Sequence, residues 1–381
     1  MKTILIFVSY YYPGYLSGGI ARSIQNSCDW LGNEFRFLIV TLDRDLCSRV
    51  PYPGVLYDRW IPLGHTLVRY LGPHQLSFNH LQSIVSETPH DVLHLNSFFD
   101  PIFTVRLLLL LRLRRITTPY VLLSPRGEFG WGSLSLKYYK KRLYIELARI
   151  AGLFHHIYWH VSSPLEAQDL RNTIPVVPTK VLTALDLPAK VSTSNLHPYQ
   201  ACHRLKVVYL ARITREKNLD GTLRLLMGVT MPVVFDIVGP QEDAKYWSEC
   251  ATLLHALPDN IQATYLGTIP PSQVFSTLAE YDLLFLPSHG ENFGHVIAEA
   301  LSVGTRVLIS TLTPWHSLEE DGLGWDVDLT DTYRFAEIIN TLATVAPEER
   351  AALRPVVREQ AFRRIFDPAV LDSNRNLYTS L

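Results

Sequence analysis

The sequence of 381 residues is short of several things that would settle its class at once. Its four cysteines, Cys28, Cys47, Cys202 and Cys250, form no Cys-x-x-Cys pair, so neither a disulfide framework nor a thiolate zinc site organises it, and reduced thiols are expected. No stretch approaches the roughly 20 apolar residues of a membrane-spanning helix, and the leucines Leu107 to Leu111 are bracketed by arginines. Neither Gly-x-Gly-x-x-Gly nor the P-loop pattern occurs, which argues against a dehydrogenase and a P-loop kinase. Net charge is low, at −1, which excludes a bulk electrostatic nucleic-acid binder. The apolar block near the start, Ile4 to Val8, is too short for a signal peptide and no small-residue cleavage site follows it. It reads as a first β-strand, and a cytoplasmic protein is expected.

What is present is a well-stocked interior: 47% of residues are hydrophobic and 19% charged, a globular balance in a chain long enough for two cores. Charge is unevenly spread. Between Ile102 and Ile150 ten basic residues face only Glu128 and Glu146. Within that stretch Leu136-Lys-Tyr-Tyr-Lys-Lys-Arg-Leu-Tyr144 mixes cations with aromatics, as helices at a membrane surface do, although a solvated helix with buried tyrosines has the same composition. Composition leaves both readings of this stretch open.

Short β-branched runs alternate with helical stretches throughout, the pattern of α/β folds with parallel sheets. Candidate strands in the first half are Ile4–Val8, Phe37–Thr41, Val92–Leu95, Tyr120–Leu123, Ile157–Val161 and Thr179–Leu182. Those in the second half are Lys206–Leu210, Val233–Val238, Gln262–Leu266, Leu283–Pro287, Arg306–Ser310 and Trp325–Val327. A Pro-, Ser- and Thr-rich segment from Asp186 to Gln200 divides the two sets. The expected architecture is two doubly wound, Rossmann-like domains, 1–187 and 205–365, joined by a linker over 188–204. Such domains side by side face a central cleft between the carboxyl ends of their strands.

The second half carries the chemistry. After Leu284–Pro287 comes a short polar loop, Ser288-His-Gly-Glu-Asn-Phe-Gly294, and then a helix expected to begin near Phe293. Its free N–H groups and positive dipole end favour a phosphate. Glu291 lies in the loop. Glu299 lies inside the helix, where it can face the same pocket and accept from vicinal hydroxyls; a lone helical glutamate is more often solvated, a reading that its neighbours Val296, Ile297, Ala298, Ala300 and Leu301 weaken. Arg212 and Lys217 leave the strand Lys206–Leu210 together, a planar fork and a point charge suited to a diphosphate leaving group. Taken alone, they would equally suit a basic surface turn.

Arg212-x4-Lys217, Val238-Gly-Pro240, Leu266-Gly-Thr268, Glu291-x7-Glu299 and Thr313-Pro-Trp315 closely resemble the retaining glycosyltransferases of family 4 (group 1), which have the GT-B fold. Tyr11-Tyr-Pro13, Gly18-Gly19 and Ser124-Pro-Arg-Gly127 extend the likeness into the first half. The resemblance implies a hexosyl-type transferase for cell-surface polysaccharide, with an acceptor domain first and a nucleotide-sugar donor domain second. It also implies a last helix, about 366–381, that packs back on the first domain, with Val370, Leu371 and Leu377 as its buried stripe. By the same likeness Arg212 and Lys217 hold the diphosphate and Glu299 the ribose. Glu291 contacts the transferred sugar beside the backbone of Asn292, Phe293 and Gly294. Gly18 and Gly19 form a loop that approaches the diphosphate. The partners implied are a nucleotide-diphosphate sugar and a glycan or lipid-linked acceptor, with no cofactor, and because lipid-linked acceptors are common in the family, peripheral membrane contact through residues 102–150 is expected.

Two features depart from the family pattern. Where many members have a histidine near the reacting sugar, this chain has Arg126, which stays protonated and cannot be a general base. Either the donor phosphate takes the acceptor proton, or Arg126 serves acceptor binding. The family's Asn-Gly before Val-Asp becomes Thr183-Ala184 before Leu185-Asp186. Metal independence is expected because the cation pair and helix dipole already supply positive charge. Asp43-Arg-Asp45 and Asp326-Val-Asp328 have a metal-binding spacing but read as solvated loops. His155, His156 and His160 read as structural residues, and His289 and His295 as shape and helix-start residues. Competing readings are another GT-B enzyme, an epimerase or a phosphorylase, and an inactive nucleotide-sugar-binding scaffold.

Overall fold

The computed structural model describes residues 1–130, 134, 138–190, 199–200 and 202–381. They form two compact units, Met1–Leu187 with Pro368–Leu381, and Pro188–Asp367. Most of the segment between Lys190 and Tyr199 lies outside the described residues, as do Leu136 and Lys137 of the basic stretch.

The first unit holds eight strands: β1 (Thr3–Phe7), β2 (Arg36–Leu42), β3 (Trp60–Leu63), β4 (Thr66–Leu71), β5 (Val92–Asn96), β6 (Tyr120–Ser124), β7 (Ile157–Val161) and β8 (Val181–Thr183). They form one sheet in the order β3-β4-β2-β1-β5-β6-β7-β8. All neighbours are parallel except β3 and β4. Its helices are α1 (Gly19–Leu31), α2 (Phe78–Glu87), α3 (Arg106–Arg112), α4 (Tyr138–Ile150) and α5 (Pro164–Thr173). Successive side chains of a strand face opposite ways, so β1 feeds two cores: Leu5 and Phe7 one, Ile4 and Ile6 the other.

The second unit has β9 (Leu205–Leu210), β10 (Val233–Val238), β11 (Ile261–Gly267), β12 (Leu283–Leu286), β13 (Arg306–Ser310) and β14 (Gly324–Val327), all parallel, in the order β11-β10-β9-β12-β13-β14. Its helices are α6 (Leu219–Leu226), α7 (Ala244–His255), α8 (Val274–Ala279), α9 (His295–Ser302), α10 (Thr332–Thr344) and α11 (Pro347–Ile365). The last helix, α12 (Pro368–Thr379), belongs to the first unit. Leu377, Tyr378 and Leu381 are buried there with Phe35 and Phe37, whereas Val370 and Leu371 are only half-buried.

The strand list drawn from the sequence lacks β3 and β4. Pro62 interrupts β3, which tolerates it because β3 is an edge strand. In β4 the apolar run is broken by Arg69, whose charge is met by Asp58 at 2.6 Å. The Asp43 and Asp45 loop is also not solvated as expected. Asp43 pairs with Arg44, and Asp45 accepts from the N–H groups of Tyr15 and Leu16, fixing the loop that leads to Gly18.

Candidate active site

In the second sheet β9 has β10 on one side and β12 on the other, so the chain reverses its winding between β9 and β12. A crevice opens at the carboxyl ends of strands at such a switch point. The segments that leave β9 and β12 there are the ones that carry Arg212, Lys217 and Glu291.

Local chemistry fixes both segments. Beyond β9, Ala211 and Ile213 donate to the carbonyls of Val238 and Pro240, drawing the Arg212 loop against the end of β10. Gly239 sits at φ 148°, and a Cβ there would lie 1.8 Å from the Ala211 carbonyl oxygen, so this approach requires glycine. Asn218 adopts a left-handed conformation, φ 58°, at the start of α6, and its side-chain amide donates to the Pro287 carbonyl at the end of β12. His289 N–H donates to the Glu216 carbonyl. These two bonds cross-link the loops and bring the Lys217 ammonium 2.9 Å from Glu291 Oε1. Both side chains are largely buried, at 13% and 9% exposure. Arg212 is more open and donates to both Glu242 oxygens, at 3.0 and 3.1 Å.

The loop after β12 is held at both ends. Ser310 donates to the Ser288 carbonyl, and the Trp315 indole N–H donates to the Phe293 carbonyl at 2.6 Å. Thr313-Pro-Trp315 thus braces the turn through Trp315, whose ring also packs edge-on against Phe293. The helix begins at His295, later than the expected Phe293, because Gly294 takes a left-handed φ of 79° as its N-cap. Asn292, Phe293 and Gly294 therefore lie in the turn before the helix. Glu299 is 6% exposed within α9, the helix that also sends Ile297, Ala300 and Leu301 into the core. Asn218 and Glu242 were not singled out in the sequence. Their roles depend on contacts 69 and 30 residues away that only the sheet order creates.

In the first unit Gly18, φ 75°, is the N-cap of α1, and Gly19 opens that helix in an exposed position. Arg126 is not open to solvent. Its side chain is 6% exposed, with Asp186 at 3.0 Å and the Asn96 side-chain oxygen accepting from Nε and Nη2. Its guanidinium is thus held by Asp186 and Asn96 within the first unit. Nearby, His160 Nε2 lies 3.0 Å from the Ala184 carbonyl, so it must donate, and its Nδ1 accepts from the Ser124 hydroxyl. Ser124 then accepts from His94 Nε2, and His94 Nδ1 accepts from the Tyr378 hydroxyl at 3.3 Å. Burial, then the Arg126 charge, lowers the pKa of both histidines. His155 and His156 are exposed, Asp328 is solvated, and Asp326 accepts from Leu318 N–H. Among the described residues no three His, Cys, Asp or Glu side chains gather as a metal site.

The family model described as glycosyl transferases group 1 matches residues 203–359, the segment that builds this arrangement. That match covers most of the second unit and none of the first. A relative of similar length is an uncharacterised 41.2 kDa protein in the cps region of Klebsiella pneumoniae, 24% identical over 86% of this chain and 87% of its own. Among solved structures the fold matches WaaG, a glycosyltransferase involved in lipopolysaccharide biosynthesis, with a TM-score of 0.67 and 12% identity over 99% of this chain and 100% of WaaG. It also matches Anabaena HepE in complex with UDP and glucose, with a TM-score of 0.69 and 14% identity over 100% of both chains. The architecture is therefore GT-B. Among its described residues the chain has no helix long and apolar enough to cross a membrane.

Proposed function

We propose that this glycosyltransferase is a retaining, metal-independent enzyme of the family 4 type. It would transfer a sugar from a nucleotide-diphosphate donor to a glycan or lipid-linked acceptor in polysaccharide assembly. The observation that carries the reading is the meeting of Lys217, Glu291 and the start of α9 at the carboxyl ends of β9 and β12, with Arg212 on the adjoining loop. The pathway rests on the cps-region relative and on the role stated for WaaG. The donor class rests on the UDP and glucose bound by HepE.

In this reading Arg212 and Lys217 stabilise the charge that grows on the diphosphate as the bond from sugar C1 to phosphate oxygen breaks. Arg212 exchanges Glu242 for the phosphate. Glu299 accepts from the ribose hydroxyls. Glu291, backed by Lys217, accepts from the transferred sugar beside the Asn292–Gly294 backbone. The acceptor oxygen bonds to C1 on the face the diphosphate leaves, and its proton passes to a departing phosphate oxygen. No side-chain base is required, consistent with a committed Arg126. The first unit is assigned to the acceptor, and Gly18 and Gly19 remain donor-side residues by their fit to the family loop.

The test is a panel of nucleotide sugars scored by thermal stabilisation and then by nucleotide release, with and without excess chelator. A ligand at a hundred times its Kd adds about 2.7 kcal/mol to the stability of the state it binds. Stabilisation by one donor, with turnover unchanged in chelator, is expected. Stabilisation without turnover on any acceptor would leave only a binding scaffold. Turnover abolished by chelator and restored by manganese or magnesium would end the metal-independent reading.

A further inference from the structure

We propose that α4 seats this glycosyltransferase on an anionic lipid surface, through the face it turns away from its own core. The basic stretch alone could not say which side chains would do this, because a solvated helix with buried tyrosines has the same composition as one at a membrane surface. The structure separates them. Ile145 and Ala148 are buried, and Tyr144 and Lys141 turn the same way, the Lys141 ammonium lying over the Phe99 ring at 4.8 Å. On the opposite side Tyr139, Leu143, Leu147 and Ile150 are 86%, 62%, 57% and 78% exposed.

At 100° per residue these four fall within an arc of about 80°, a continuous apolar stripe along three turns. A solvated helix places polar residues there. Cations edge the stripe on both sides, with Lys140 on one flank and Arg142 and Arg149 on the other, all exposed. The single acid on the helix, Glu146, is paired with Arg149 at 2.6 Å. The positive rim continues beyond α4. Arg112 donates to the Ala151 carbonyl, which brings the exposed end of α3, with Leu113, Arg114 and Arg115, beside Ile150.

An apolar stripe between basic flanks is the geometry of a helix lying in a bilayer interface. Its side chains enter the acyl boundary while lysine and arginine meet anionic headgroups. A second copy of this chain fits less well, since two such rims would oppose like charges. The proposal stands apart from the donor chemistry, because none of these residues belongs to the second unit and lipid binding needs no nucleotide sugar.

The experiment is flotation of the full chain with two kinds of sugar-free vesicle, phosphatidylcholine alone and phosphatidylcholine with phosphatidylglycerol. The chain is expected to float only with the anionic vesicles, and less so as salt rises. The variant L143E/L147E, altered at positions outside the core, should bind roughly a hundredfold more weakly. K140E/R142E should lose the preference for anionic lipid. Both should keep the parent's melting temperature and nucleotide-sugar turnover on a water-soluble acceptor. Absence of the parent chain from the anionic float fraction would overturn the proposal. So would parental binding by L143E/L147E at an unchanged melting temperature. If light scattering instead shows a dimer that this variant converts to monomer, the stripe is a self-association surface and the proposal fails.

Discussion

At the residue scale, the two glutamates of the second unit should separate by experiment. Glu299→Ala should weaken binding of free nucleotide diphosphate and of sugar donor alike. Glu291→Ala should spare the nucleotide and lower turnover, because in the proposed reading its partner is the sugar. Arg212→Ala and Lys217→Ala should each lower kcat by more than they lower affinity, by about thirty- to a thousand-fold, or roughly 2–4 kcal/mol. Donor binding and single-turnover rates for the four variants check this, and parental behaviour in all four would remove the site. Glu291 with Glu299, and Arg212 with Lys217, were singled out in the sequence because each pair sits at a fixed spacing on one short segment. Glu242, Asn218 and Asp186 were not, since a carboxylate or amide in a loop does not name a partner across the sheet.

The buried histidines make a second residue-scale claim. In the hydrogen-bond order from Tyr378 to Ala184 each ring must accept at Nδ1, so a protonated ring has no place. Their folded pKa values lie below the ordinary 6.5, so in that window the unfolded chain binds more protons. Stability from these two groups is therefore full above about pH 6.5 and is withdrawn as pH falls, at up to about 1.4 kcal/mol per histidine per unit. Glu128, whose carboxyl burial raises, acts in the opposite sense, from its ordinary 4.5 upward. Urea unfolding of the first unit between pH 7 and 5.5 should show the loss, and His160→Gln should flatten the slope by about one proton. An unchanged slope in that variant would mean that His160 is not neutral in the fold.

At the scale of elements, most strands were legible because a strand buried on both faces has few polar residues to confuse it. Leu-Leu-Phe-Leu of β12 and Arg-Val-Leu-Ile-Ser of β13 are examples. β3 and β4 were not, because Pro62 and Arg69 are acceptable only given an edge and an Asp58 that the sequence does not announce. The start of α9 shifted because a left-handed Gly294 ends the loop. The last helix was read from Val370, Leu371 and Leu377, whereas its main anchor is Tyr378, whose ring packs between Phe35 and Phe37 at 5.3 and 5.8 Å. Tyr378→Ala should cost the first unit about 3–5 kcal/mol. Tyr378→Phe should cost only about 1 kcal/mol, the hydroxyl's bond to His94. Equal costs for the two changes, measured by urea unfolding, would show that the ring contributes little.

At the scale of the whole molecule, each unit has its own core, so one all-or-none transition is not required. Calorimetry with and without a nucleoside diphosphate should move the transition of the second unit and leave that of the first in place. Movement of the first unit's transition alone would put the nucleotide in the wrong domain. The return of α12 has a further bearing, on how the protein is made. The Lys2 ammonium donates to the Tyr378 carbonyl at 3.0 Å, so residues 376 positions apart share one contact. On a ribosome adding about 5–20 residues per second, the second unit, 188–367, is complete before the first one is. Until α12 emerges, Phe35 and Phe37 have no ring to cover them, and the first unit waits with an open apolar face. Nascent chains stalled before Pro368 should therefore bind a hydrophobic dye and a chaperone holdase, and chains from which α12 has emerged should not. The order of synthesis thus runs against the order of the domains.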